Sequence, residues 1–155
     1  MLRYRLDDLG AYQFEKLVQS SLKAALGLSV ESWGNRADHG RDSYSRGTLR
    51  FPDPAQESAG PFVFQTKFVE GANAAGSRPA RALLSSASKE RDRISERIAR
   101  KTWGRPAHFV FITNSLVAGA LREKIRSVFR RVLPSTEIHV WAGDDVATFL
   151  IRAPR

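Results

Sequence analysis

Five polar residues stand where their chemistry needs explaining. Glu15 lies in a helix-like stretch, AYQFEKLV; Asp38 and Asp42 are four apart in RADHGRD; Gln65 and Lys67 are two apart near the end of an apolar run, FVFQTKF. An unpaired polar group in a core is costly, so Gln65 on such a strand needs a partner. A metal-dependent site for cutting phosphodiesters supplies one. That reaction requires a divalent ion against the phosphate, an activated water in line, and positive charge where negative charge builds. Mg2+ suits the work because it takes carboxylate, carbonyl and water oxygens and leaves room for phosphate.

Residues two apart on a strand share a face, so Gln65 and Lys67 stand side by side. If a strand beginning near Asp42 lies next to them, the Asp carboxylate meets the Gln amide oxygen and the two hold one ion. Lys67 is then placed to orient or deprotonate the attacking water, or to bind the scissile phosphate, most effectively when partly desolvated. Glu15, in mid-helix, reaches the same centre directly or through water. The plainer readings are an exposed helix residue for Glu15 and a strand-end ammonium snorkelling to solvent for Lys67.

The elements that must position these groups follow from periodicity. Residues 6–27 predict an amphipathic helix, with Asp7 or Asp8 as cap, Gly27 as stop, and Leu9, Phe14, Leu17, Val18, Leu22 and Leu26 on its apolar side. Residues 28–33 alternate like a strand, 34–42 are turn-rich, and 42–51 predict a strand broken or turned near Gly47. Residues 52–61 read as a surface loop. FVFQTKFV (62–69) is apolar on both faces and belongs in the middle of a sheet. A flexible connection, 71–79, leads to a basic helix over 80–101. A buried strand over 108–114, a second basic helix over 116–133, a strand over 137–142 and a short helix opening at Asp144 and Asp145 complete the chain. The order is α-β-β-β-α-β-α-β-α, an α/β fold with a mixed central sheet flanked by helices.

The composition limits what such a fold acts on. The formal charge is +9, from 25 Lys and Arg against 16 Asp and Glu, which favours nucleic acid or another polyanion; an acidic protein or an anionic membrane surface is the alternative. There is no cysteine, which excludes disulfides, thiolate metal sites and a Cys nucleophile. No apolar run approaches the roughly 18 residues of a membrane helix, and MLRYRLDDLG lacks the apolar core of a signal peptide. A cytoplasmic, non-membrane protein is expected. The length fits one domain, 1–151, with 152–155 reading as the start of a linker to a further region.

The succession FEKLV (14–18), DHGRD (38–42) and QTK (65–67) resembles the Mrr-type branch of the restriction-endonuclease-like, PD-(D/E)xK, superfamily. That branch shows a helical Glu in an F-E-x-L-V-like stretch, a D-G-G-x-D-like turn and a Q-x-K strand. HFVFITN followed by a helix resembles its later β-α unit, and the segment from Trp141 to Ile151 its end, so the likeness spans nearly the whole chain. The resemblance implies the restriction-endonuclease-like fold and a DNA endonuclease using Mg2+ or Mn2+. It implies that Asp42, Gln65, Lys67 and Glu15 are the active-site residues, with Asp42, Gln65 and Glu15 toward the metal. It also implies an effector of bacterial anti-phage defence, able to form a homo-oligomer and fused to a sensor or NTPase domain. Two departures stand out. His39 occupies a position where Gly is common, beside a bulky Arg41; His39 shapes the loop, touches DNA or is simply exposed. Asp38 is a structural or outer acid, or trades roles with Asp42. Residues 52–61 lengthen the path from Asp42 to Gln65.

The basic helices are candidates to follow a DNA backbone: residues 78–105 hold nine Lys and Arg against three acids. Arg91, Arg97, Arg100 and Lys101 are the residues expected at phosphates, contacts that give affinity without reading sequence. The plainer reading is a solvated face. His108 and His139 read as structural, having no partner at helical or turn spacing, and Trp33, Trp103 and Trp141 as packing residues. ITNS (112–115) reads as a helix cap or, less simply, a phosphate site at a helix N-terminus. A catalytically silent binding module of the same fold and an RNA substrate are the competing functional readings.

Overall fold

The computed structural model describes residues 6–27, 31–32, 43–72 and 75–152. Its centre is the pair of strands with apolar residues on both faces. β5 (Phe62–Lys67) and β6 (His108–Thr113) run parallel, in a register that sets Phe62 beside His108 and Lys67 beside Thr113. Every residue of β6 is buried, as expected of a strand covered on both sides. The connection between them is the long helix α2 (Arg78–Ala99). β7 (Glu137–Trp141) adds in parallel to β6, after helix α3 (Gly119–Arg130). On the other side, β2 (Ser43–Ser45) pairs antiparallel with β5, and β1 (Glu31–Ser32) antiparallel with β2. The sheet is therefore mixed, in the order β1-β2-β5-β6-β7.

Strand alternation sorts the core into two layers. Phe62, Phe64, Val110 and Ile112 face one way and pack with Phe14, Val18 and Leu22 of α1 (Gly10–Leu26) and with Val146 and Phe149 of α4 (Gly143–Arg152). Val63, Phe109, Phe111, Ile138 and Val140 face the other way, against Leu83, Ala87 and Ile94 of α2 and Ile125 and Phe129 of α3. The molecule is thus α/β with helices on both faces of a mixed sheet. Among the described residues, no helix is long and apolar enough to cross a membrane.

Several local expectations are corrected. The first helix does not begin at residue 6: Leu6–Asp8 is a 3-10 turn, and α1 starts at Gly10, whose φ of +76° suits glycine. Asp7 does not cap α1; its carboxylate accepts a hydrogen bond from Asn114 Nδ2 at 2.9 Å. The segment read as a loop, 52–61, contains β4 (Glu57–Ala59), which pairs antiparallel with β3 (Thr48–Arg50) in a separate two-stranded sheet. Its residues, Glu-Ser-Ala, carry no apolar alternation to betray a strand. The buried Leu49 and Phe51 anchor this hairpin to the α1 layer. Where it returns to the main sheet, a Cβ on Gly60 would stand 2.8 Å from the Gly47 carbonyl oxygen, so the close crossing needs glycine.

ITNS does not cap a helix, since α3 starts only at Gly119. Asn114 is instead a staple. Its Oδ1 accepts the Val69 N–H at 2.7 Å, and its Nδ2 donates to the Val69 carbonyl at 3.1 Å. The last helix opens as expected near its acids, with Asp145 Oδ2 accepting the Ala142 N–H at 2.9 Å and Arg122 Nη1 at 3.0 Å.

Candidate active site

β5 places Gln65 and Lys67 on the face that carries Val63, toward α2. Both line a cleft of about 170 Å3 with Thr66, Phe111 and the α2 residues Ser86, Lys89, Glu90 and Arg93. Gln65 is only 8% exposed, at the inner end, and Lys67 is exposed at the mouth. Gln65 Oε1 is a buried oxygen with no hydrogen-bond partner, one of three such side-chain atoms among the described residues, with Ser43 Oγ and Ser45 Oγ. An orphaned buried acceptor costs on the order of 1–3 kcal/mol. Its neighbourhood is cationic, with the ammonium groups of Lys67 and Lys89 and the guanidinium of Arg93 around one opening.

The carboxylate in this cleft was not among the residues singled out by sequence. Glu90 is buried on α2 and accepts hydrogen bonds from Arg93 Nη1 at 3.1 Å and Arg97 Nη1 at 3.2 Å. A signal for it exists. Leu83, Ala87, Glu90 and Ile94 are the successive buried positions of α2, so Glu90 is an acid set into the apolar stripe of an otherwise basic helix.

The remaining site candidates divide in two. Glu15 is half-buried on α1 and accepts a hydrogen bond from Gln19 Nε2 at 3.1 Å. Because α1 packs on the Phe62 and Phe64 side, Glu15 belongs to the layer across the sheet from the Gln65 cleft. The structure therefore brings Gln65 and Lys67 together and does not place Glu15 in the lining of their cleft. Asp38, His39, Arg41 and Asp42 lie outside the described residues, as does Trp33. The nearest described neighbour of Asp42 is Ser43, the first residue of β2, which is paired with Phe64, the residue before Gln65.

The basic residues of α2 are largely engaged within the protein. Arg91 bonds Asp92 at 3.0 Å, Arg97 is held by Glu90 and lies over the Trp103 ring, and Arg100 bonds Glu96 at 2.7 Å. Lys101 follows the helix with a φ of 60°. Arg91 also lines an open groove of about 480 Å3 between α2 and α3, with Lys124 and Arg131 opposite. Trp103 and Trp141 are packing residues, Trp103 buried in the α2 layer and Trp141 stacked on Phe51.

His108 and His139, which have no partner by sequence spacing, meet across parallel strands. His108 Nδ1 lies 3.1 Å from His139 Nε2, and Glu137 Oε2 lies 3.4 Å from the first and 3.8 Å from the second. Burial pulls the pKa of His108 below the ordinary imidazole value, with Glu137 opposing. Burial also pulls His139 down, to about 4, with His108 and Arg126 adding to the fall and Glu137 opposing it. The missing signal was the register, which sets His108 beside Glu137 and Val110 beside His139.

No family model, curated protein or solved structure matches the chain.

Proposed function

We propose that this chain is a divalent-metal-dependent DNA endonuclease domain of the Mrr type, with the restriction-endonuclease-like fold and the Gln65–Lys67 cleft as its reaction centre. The observation that carries the reading is the orphaned Gln65 Oε1, buried two residues from Lys67 in a cleft of about 170 Å3. A neutral amide kept without a partner at a cationic opening is costly for stability alone, and a ligand that uses it offsets that cost.

Among the described residues the cleft offers a divalent cation one free acceptor, the Gln65 carbonyl oxygen, of the kind Mg2+ and Mn2+ take; the anionic ligand must come from Asp42. Gln65 would hold the ion with Asp42, which directly precedes β2; Glu15, assigned to the set by the resemblance, lies on α1 outside the cleft's lining, so the proposed centre does without it. A bound ion supplies Lewis acidity at the phosphate and lowers the pKa of a coordinated water. Lys67, at the mouth of the same cleft, steadies the scissile phosphate or the attacking water. Lys89 and Arg93 draw the polyanion in and meet the charge that develops on it. The net charge of +9 supports a nucleic-acid substrate. The sheet order, with an antiparallel hairpin leading into parallel β5, β6 and β7, supports the fold assignment.

One observation favours a second reading, a silent nucleic-acid-binding module. Glu90, the carboxylate described in the cleft, is already neutralised by Arg93 and Arg97. Incubation with matched DNA and RNA duplexes, with Mg2+ or Mn2+ and then with EDTA, separates the readings. Metal-dependent scission of DNA is expected. Scission of RNA alone overturns the DNA assignment. Binding of either duplex without scission under any divalent ion establishes the silent module. The same domain, as a defence effector, would draw its trigger from a fused sensor or NTPase domain and its double-strand cuts from a homo-oligomer.

A further inference from the structure

At the other end of the sheet from Lys67, β6 and β7 present two imidazoles and a carboxylate on the face that carries Phe62. His108 opens β6, and Glu137 and His139 lie in β7. Five residue steps along the strand direction, roughly 16 Å, separate this end from the Gln65–Lys67 end, as the pairing of Phe62 with His108 and of Lys67 with Thr113 requires. The three atoms His108 Nδ1, His139 Nε2 and Glu137 Oε2 form a triangle with sides of 3.1, 3.4 and 3.8 Å. A tetrahedral Zn2+ with bonds of about 2.0–2.1 Å keeps its ligand atoms roughly 3.3–3.4 Å apart. The triangle brackets that spacing.

We propose that His108, His139 and Glu137 form a binding site for one borderline transition-metal ion, of the Zn2+ class, separate from the phosphodiester site. Two imidazole nitrogens and one carboxylate oxygen select such an ion over Mg2+ or Ca2+, which prefer all-oxygen sets. The rings are held before any ion arrives. His108 stacks on Phe62 at 4.6 Å between centroids, and Phe51 meets His139 edge-on at 4.8 Å. Burial favours the neutral form of both imidazoles, the form that metal ligation requires. When the ion enters, the hydrogen bond between the two rings is replaced by two metal bonds, and one ring changes tautomer. The Glu137 side chain is 68% exposed, so the fourth position opens to water. Arg126, the nearby cation, is turned to Glu123. The ion would tie the start of β6 to β7 beneath Phe51 of the β3–β4 hairpin.

The test uses the full chain freed of metal with a chelator. Zn2+ is added under calorimetry, Co2+ under visible spectroscopy, and thermal unfolding is followed in both. The expected result is one equivalent bound, tetrahedral cobalt bands, and a rise in Tm of roughly 5 °C at about a hundredfold excess over Kd. His139→Gln should weaken binding at least about 100-fold, and Glu137→Gln at least about tenfold. Glu137 is exposed, so its variant keeps the fold and decides the matter if His139→Gln unfolds. Lys67→Ala should keep the cobalt spectrum unchanged, which separates this site from the reaction centre. No bound equivalent, or binding undiminished in Glu137→Gln, overturns the proposal whatever the nuclease assay shows.

Discussion

Gln65 is the residue on which the proposed nuclease reading turns. Its amide oxygen is buried without a partner, beside the apolar Phe111 of β6 and at the base of a cleft rimmed by Lys67, Lys89 and Arg93. Gln65→Leu should therefore raise stability by about 1 kcal/mol, because it removes an unsatisfied acceptor at similar volume. The same variant should lose metal-dependent cleavage. A denaturant titration beside a cleavage assay checks both halves, and a destabilised variant that still cuts would contradict the role given to Gln65. The site was partly legible at this scale. Gln65 and Lys67 stand out because a strand puts them side by side, whereas Glu90 hides in the charge pattern of α2. His139 shows what sequence spacing conceals. It and His108 have lowered pKa values, from burial first, so in the metal-free protein the unfolded chain takes up protons near pH 6.5 that the folded one takes up only at lower pH, in the case of His139 at about 4. Stability should be full above pH 6.5 and fall as the pH drops through that window. Thermal unfolding between pH 7 and pH 4.5 measures it; His139→Gln should flatten the profile, and an unchanged slope would mean that the ring is not held neutral.

At the scale of elements, the decisive joint is where β5 and β6 end. Asn114 clamps the backbone of Val69 through both amide atoms and also reaches Asp7 before α1. One side chain thus fixes the exit of the strand that bears Lys67 against its parallel neighbour and the N-terminal turn. Asn114→Ala leaves the Val69 N–H and carbonyl unpaired in a buried place and should cost about 2–3 kcal/mol. Asn114→Asp should cost less in contacts to the N–H and more at the carbonyl, and chemical denaturation of both variants reads the difference. A loss below about 0.5 kcal/mol in Asn114→Ala would show that the joint is held by packing alone. Sequence periodicity captures β5 and β6 because both are apolar on both faces, and it captures α1 and α2 because their apolar residues recur at three and four. It misses β4 because Glu57–Ala59 has no apolar face, and it overruns α3 because residues 116–118 continue an apolar run without continuing the helix.

For the whole molecule, a mixed sheet covered on both faces gives two separate chemical ends. The C-terminal end of β5 holds a cationic cleft with an oxygen acceptor, and the N-terminal ends of β6 and β7 hold imidazoles and a carboxylate. The parallel register creates this division: it places residues far apart in sequence side by side, which is why His108, Glu137 and His139 could not be joined from spacing alone. The arrangement of β2 beside β5 is what the motif order anticipates, since Ser43 follows Asp42 and pairs beside Gln65's neighbour. The most direct measurement is cleavage of supercoiled plasmid by the full chain with Mg2+ or Mn2+, wild type beside Lys67→Ala, with EDTA as control. The Gln65–Lys67 centre predicts nicking or linearisation that needs the metal and falls at least about 100-fold in the variant while its fold is retained. Cutting at full rate by Lys67→Ala would contradict the site, and DNA bound but left intact by the wild type under either ion would contradict the enzyme.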